Sequence, residues 1–301
     1  MEDKIGLLVL KVLSYKLNNQ NHFVMQQLHY CLGLPRTCSS VIMNILNENP
    51  RIFTTGTCCM PYFLDCCQER SGTVSEFIAL DKDVLHNSYI NFLRQGMRGW
   101  FEAMTDKPIV FSKSRIWSEW LPHTFAIDPN SKYLVILRDL RDIICSFDSL
   151  LWKYPQVTYG DKDKQFYQES FEHRMEMYCT DGSSNLGRPL HTLPHLMEVA
   201  QKNPNSFFLC KHEHFNEQPR ETLQMIYQWL GEPNFEHDLD NIPEPDYKEN
   251  DTTYRSLVYH KTGTQLKKLE PRWPKVMTQE QSRAVIDNNR WYYETFYPEA
   301  L

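Results

Sequence analysis

The sequence has no excess of positive charge, no Cys-x-x-Cys pair, no long apolar run and no Gly-x-x-x-x-Gly-Lys-Ser/Thr loop, and each absence removes a class of protein. A net charge of −6 over 301 residues does not suit a chain whose whole surface tracks a nucleic acid, so an anion site has to be a local basic pocket. The nine cysteines are odd in number and include the neighbours Cys58/Cys59 and Cys66/Cys67, a poor framework for disulfides or for a metal. Reduced, mostly buried thiols in a reducing cytosol fit them better. The apolar stretch Ile5 to Leu10 follows the acidic start Met1-Glu2-Asp3 and is cut at Lys11, too short and wrongly flanked for a signal peptide or a membrane span. A cytoplasmic protein is therefore expected. No repeat, low-complexity tract or Gly/Ser linker divides the chain, which predicts a single domain over residues 1–301.

What is present is an alternation of elements. Tyr30-Cys31-Leu32-Gly33-Leu34 is an apolar run, Pro35 to Ser40 reads as a tight loop, and Val41, Ile42, Ile45 and Leu46 fall at helical spacing. Two more runs, Pro108-Ile109-Val110-Phe111 and Tyr133-Leu134-Val135-Ile136-Leu137, end in Ser112-Lys113-Ser114 and Arg138-Asp139. Continuous apolar runs of this length suit strands buried on both faces. Arg141 to Leu151 carries its apolar residues at helical spacing. Ser206 to Cys210 predicts a further strand, after a helix over His195 to Lys202 and before one over Arg220 to Leu230 that stops at Gly231. Such alternation predicts an α/β domain with a parallel sheet flanked by helices. Sheets of this kind bind ligands at the carboxyl ends of their strands, where Arg36, Lys113 and Arg138 fall. Three cations at one rim define a candidate anion site.

Two constellations sharpen it. Between strand and helix, Leu34-Pro35-Arg36-Thr37-Cys38-Ser39-Ser40 offers backbone N–H groups, a helix dipole and three hydroxyls to a phosphate or sulfate. The competing reading is a plain N-cap cluster, because Ser and Thr are favoured there in any case. In Leu137-Arg138-Asp139-Leu140-Arg141-Asp142, Arg138 at a strand end and Ser146 two turns into the next helix can converge on one phosphate. A surface ion-pair cluster of Arg138, Asp139, Arg141 and Asp142 is the competing reading.

Taken in order, the Pro35-Arg36 loop, Asn49-Pro50, Lys113, Arg138 with Ser146, Lys211-His212-Glu213 ahead of Pro219, and Leu230-Gly231 resemble the superfamily of sulfotransferases that use 3′-phosphoadenosine-5′-phosphosulfate (PAPS). Bacterial and phage members and the tyrosylprotein sulfotransferases are most similar. The likeness runs from Tyr30 to Pro233, with a weaker match at Trp291-Tyr292-Tyr293 and Phe296-Tyr297-Pro298. It implies a P-loop-NTPase-like fold and transfer of a sulfuryl group from PAPS, releasing adenosine 3′,5′-bisphosphate (PAP), with no metal. It further implies that Arg36, Thr37, Cys38, Ser39 and Ser40 form the 5′-phosphosulfate loop, with Arg36 on the transferring group. Arg138 and Ser146 match the 3′-phosphate pair, and Lys113 lies where the tyrosylprotein enzymes keep a catalytic Lys. Lys267 and Lys268 resemble the basic loop that closes over the nucleotide, against the competing account of a solvated charged loop.

The departures are specific. Cys38 stands where the family loop has Gly, so the loop either avoids a positive φ there or accepts strain. His212 replaces a common Tyr, so adenine stacking there would be by imidazole or not at all. The acidic base of the tyrosylprotein enzymes aligns near Thr57 and Cys58 and the His of the small-molecule enzymes near Arg115 and Ile116, and neither base is present. Glu119 and His123, behind Lys113, are the remaining candidates, weighed against a commonplace surface pair. A protein of this fold that binds PAP or PAPS without transfer is the alternative reading. A small-molecule kinase would need a Walker-type loop and a Mg²⁺-holding group, and neither is found. Residues 152–194, with Tyr154, Tyr159, Phe166, Tyr167, Phe171 and Tyr178, are expected to form an acceptor-side cap within the domain, ordinary core being the other account of the aromatics. The acceptor is left open among protein tyrosine, glycan, lipid and small molecule; no nucleic-acid partner is expected.

Overall fold

A computed structural model describes residues 26–153, 169–243 and 265–301. In chain order its main elements are β1 (Gln27–Gly33), α1 (Ser39–Asn47), β2 (Ile52–Thr54), α2 (Met60–Ser71), α3 (Lys82–Glu102), β3 (Ile109–Lys113) and α4 (Leu121–Ile127). There follow β4 (Tyr133–Leu137), α5 (Leu140–Lys153), α6 (Phe171–Thr180), α7 (Gly187–Lys202), β5 (Phe207–Lys211), α8 (His212–Glu217), α9 (Pro219–Leu230), α10 (Gln279–Asn288) and α11 (Arg290–Phe296).

The strands pair in parallel in the order β2-β3-β1-β4-β5, with Tyr30 opposite Ser112 on one side and opposite Tyr133 on the other. Side chains alternate across the sheet. Leu28, Tyr30, Leu32, Tyr133 and Val135 enter one core layer, with Leu93, Met97, Ile143 and Leu193 from the helices. Cys31, Ile109, Phe111, Leu134 and Ile136 enter the other, under Ile42 and Leu46 of α1 and Ile226 of α9. The continuous apolar runs are therefore buried on both faces, and the expected single α/β domain with a flanked parallel sheet is what the chain forms.

Several bounds move. β1 begins three residues before the apolar run at Tyr30, and Leu34 already belongs to the loop. β2 has only Ile52, Phe53 and Thr54, too short for periodicity to mark. α7 starts at Gly187 and runs through Pro194, well before His195, because a proline removes one helical bond without dissolving a long amphipathic helix. α9 ends as expected: Gly231 adopts φ +78° and donates its N–H to the Tyr227 and Gln228 carbonyls. Of the segment expected to form a cap, Tyr154, Tyr159, Phe166 and Tyr167 lie outside the described residues; Phe171 and Tyr178 pack against the core, Tyr178 stacking on Phe147 at 5.4 Å. Among the described residues no helix is long and apolar enough to cross a membrane.

Candidate anion site at the strand ends

β1 ends at Gly33, whose φ of +119° lets the chain swing into the loop; a Cβ there would collide with the Ile136 carbonyl. Leu34 then donates its N–H to that carbonyl at 3.0 Å. Arg36 and Cys38 both take left-handed conformations, φ +59° and +60°. Of the two outcomes open at Cys38, the loop accepts the positive φ, at a cost of about 1–2 kcal/mol for a residue with a Cβ. Left-handed residues alternating with right-handed ones turn successive N–H groups toward one side, the geometry that holds anions. The hydroxyls do not simply cap α1. Cys38 caps it with backbone alone, Thr37 donates back to the Leu34 carbonyl at 2.9 Å, and Ser40 accepts from Lys113.

The three cations converge from three strand ends. Lys113 Nζ donates to Ser40 Oγ at 2.9 Å and to the Gly56 carbonyl at 2.5 Å. Arg36 Nε donates to Ser146 Oγ at 3.0 Å, and Arg138 holds the Arg36 carbonyl at 2.8 Å. The Nε–H of Arg138 is buried and has no hydrogen-bond partner among the described residues. At Cys38, burial pushes the thiol pKa up, while Arg138, Arg36 and Arg272 pull it down. Arg272 is thus a fourth cation at the site and one that motif reading missed.

Arg138, Asp139, Arg141 and Asp142 are only 5, 7, 7 and 4 % exposed, which rules out a surface ion-pair cluster. Asp142 Oδ2 accepts from Arg138 at 3.2 Å, while its Oδ1 accepts the backbone N–H groups of Arg272 at 2.8 Å and Trp273 at 3.1 Å. One carboxylate therefore ties the strand-end arginine to a segment 130 residues on. The Arg141 guanidinium lies 3.9 Å from the centre of the Trp273 ring. Beneath, Tyr292 donates to the Arg138 carbonyl at 2.8 Å, Tyr293 to Asp139 at 3.0 Å and Tyr297 to Glu213 at 2.8 Å. Glu213 also accepts the Asp139 N–H at 3.0 Å; burial raises its pKa, and these bonds pull it back. The weak tyrosine likeness near the chain end is this brace.

The remaining expected residues lie at greater remove. His212 opens α8 with its ring buried and its Nδ1 without a hydrogen-bond partner among the described residues; burial first, then the charge of Arg138, push its pKa down to about 3. Lys267 and Lys268 are exposed, and Lys268 pairs with Glu217 at 2.6 Å. Both oxygens of Glu119 are held by Arg188 at 2.7 Å. The His123 ring packs on Trp120, and burial followed by the nearby His86 lowers its pKa. Among the described residues no group of His, Cys, Asp or Glu is arranged to hold a metal ion.

A parallel sheet in this strand order, with a loop of left-handed residues after its central strand and cations from two neighbouring strands, is an α/β scaffold suited to an anion. A sequence profile of the sulfotransferase family matches residues 30–237, and the chain belongs to that family. Its fold is similar to that of a sulfotransferase domain from the curacin biosynthetic pathway, at 14% identity over 88% of this chain and 98% of that one, with a TM-score of 0.52. It is also similar to that of a mouse sulfotransferase complexed with PAP, at 11% identity over 91% and 86%, again with a TM-score of 0.52. At these identities the likeness is one of fold. No curated protein matches the chain in sequence.

Proposed function

We propose that the protein transfers a sulfuryl group from PAPS to a hydroxyl or amine acceptor and releases PAP. The observation that carries this reading is the buried, unpartnered Nε–H of Arg138 beside Ser146 and Arg36, a preformed donor set for an anion that ordinary 5′-nucleotides do not carry at that place. The donor, once bound, supplies the sulfuryl group and takes the electron pair of the broken bond away as PAP. The chain's own part is positioning and charge. Arg138 and Ser146 hold the 3′-phosphate, and the loop from Arg36 to Ser40 cradles the 5′ end. Lys113, fixed by Ser40 and Gly56, neutralises charge on the leaving oxygen. Lys267 and Lys268 supply the basic segment near the nucleotide. The buried His212 is neutral and packs at the nucleotide side. A reducing, cytoplasmic setting agrees with nine unpaired cysteines.

A second reading, binding without transfer, is favoured by one observation: Glu119, a candidate base, has both oxygens occupied by Arg188. Transfer of labelled sulfate from PAPS, assayed over phenolic, sugar, lipid and small-alcohol acceptors, separates the two. Label in any acceptor, lost in Lys113→Ala, supports transfer. PAP binding with no labelled acceptor would leave the binding protein.

A further inference from the structure

The stretch 265–273 brings the C-terminal part of the chain to the rim, and its bonds divide it in two. Leu266 donates its N–H to the Leu239 carbonyl at 2.8 Å, and Leu269 exchanges both backbone groups with the Asn216 side chain, at 2.8 and 2.9 Å. Lys268 adds its pair with Glu217. The half that carries Lys267 and Lys268 is thus fastened at the far end of α8. Arg272 and Trp273 are fastened elsewhere: both donate their N–H groups to Asp142 Oδ1, while the other oxygen of that carboxylate holds Arg138. The Trp273 ring then stacks on Arg141.

The Arg272 residue is exposed. Exposed arginines elsewhere rest on carboxylates, as Arg51 does on Glu232 and Arg290 on Glu294. The Arg272 guanidinium has no ion pair and no hydrogen bond among the described residues. Its charge acts instead on two thiols. At Cys38, burial pushes the pKa up, and Arg138, Arg36 and then Arg272 pull it down; at Cys145, burial, Asp142 and Asp148 push it up and Arg272 pulls it down. Cys38 lies in the loop and Cys145 immediately before Ser146, so the guanidinium borders the same place as Arg138 and Ser146 and can be reached from solvent. A phosphate monoester carries nearly two negative charges at pH 7. Arg138 already shares its guanidinium with Asp142, and a second, uncommitted cation is what balances such a group.

We propose that Arg272 is a specificity-determining residue of the site, its guanidinium closing on the 3′-phosphate that Arg138 and Ser146 hold, in the place that the family resemblance gives to Lys267 or Lys268. The proposal rests on the reading of the site as one for PAP and PAPS. An arginine suits the task better than a lysine, because its planar fork meets two phosphate oxygens at once. Asp142 orders the backbone of residues 272 and 273 beforehand, so binding has one side chain left to order. One carboxylate thereby sets both cations, Arg138 through its guanidinium and Arg272 through its backbone. Discrimination against 5′-AMP, which has no 3′-phosphate, then needs both arginines.

The test is calorimetric titration of the full chain with PAP and with 5′-AMP. Arg272→Gln should weaken PAP about tenfold or more, the loss of one charge-assisted contact, and 5′-AMP less than about twofold. The urea midpoint should stay in place, because only the backbone of this residue meets Asp142. Arg272→Lys should recover part of the loss, and the double variant Lys267→Gln, Lys268→Gln should weaken PAP less than Arg272→Gln does. Preference for PAP retained in Arg272→Gln would overturn this inference while leaving the PAP reading standing. Equal losses for PAP and 5′-AMP would overturn it as well, moving Arg272 to the 5′ end of the nucleotide, and so would a larger loss in the double lysine variant. No preference for PAP in the unaltered chain would instead overturn the reading of the site, and this inference with it.

Discussion

The strand-end rim and the α2–α3 flank distribute their side chains in opposite ways. At the rim, all four charged residues of the Arg138–Asp142 turn are buried and tied to groups more than a hundred residues away. On the flank, large apolar side chains such as Phe63 and Phe92 face solvent. Each inverts the usual rule of polar outside and apolar inside. The rim shows how far a chain goes to hold cations in one place: Asp142, Asp139 and Glu213 each accept several bonds, and three tyrosines brace them. Among the described residues the apolar groove on the flank is lined by no charged residue.

The sharpest way to break the contrast is to remove Lys113, the rim cation proposed to act on the leaving oxygen. Lys113→Ala should lower turnover by about 10²–10³, the usual loss of one preorganised charge donor, while PAP affinity changes far less. Steady-state rates and binding measured on the same preparation check it.

Next comes acid. His212 and His29 are buried and neutral, burial being the first cause in each, with pKa values pushed down to about 3 and about 4. Below pH 6.5 the unfolded chain takes up protons that the folded chain refuses. Stability is therefore full above pH 6.5 and falls as the pH is lowered toward 4, by up to about 1.4 kcal/mol per pH unit for each histidine. Glu213, raised by burial, works in the opposite sense: its contribution is full below pH 4.5 and fades as the pH rises through its folded pKa. Urea titrations from pH 7 to 4.5 should show the decline, and His212→Phe should make it shallower.

The same contrast separates two ion pairs. Asp142→Asn strips the buried Arg138 of its counter-charge and should cost roughly 3 kcal/mol in chemical denaturation. Glu119→Gln, which breaks the half-exposed pair with Arg188, should cost less than about 1 kcal/mol. Equal costs would show that the rim is no better organised than the surface. The smallest effect is at the loop, where Cys38→Gly relieves the left-handed strain and should raise stability by about 1 kcal/mol.

Much of this was legible in the sequence. Tyr133 to Leu137 reads as a strand buried on both faces because all five residues are apolar, and it is one. The interval from Arg138 to Ser146 carries a strand-end residue onto the next helix, and the fold brings both to Arg36. Other features carried no local signal. The β2 strand is too short to show a period. Arg272 is tied to the site by its backbone N–H on Asp142, a contact no spacing rule reaches across 130 residues. The C-terminal tyrosines were visible as a faint resemblance, but their partners Asp139 and Glu213 were not. The α2–α3 groove needs two helices side by side before its apolar stripes become a surface.

The most direct test of the central claim is calorimetric titration with PAP beside 5′-AMP, ADP and ATP. A preference for PAP over 5′-AMP of tenfold or more, abolished in Arg138→Ala, is what a 3′-phosphate site at Arg138 and Ser146 predicts. Equal affinity for PAP and 5′-AMP, or a preference for ATP, would contradict it.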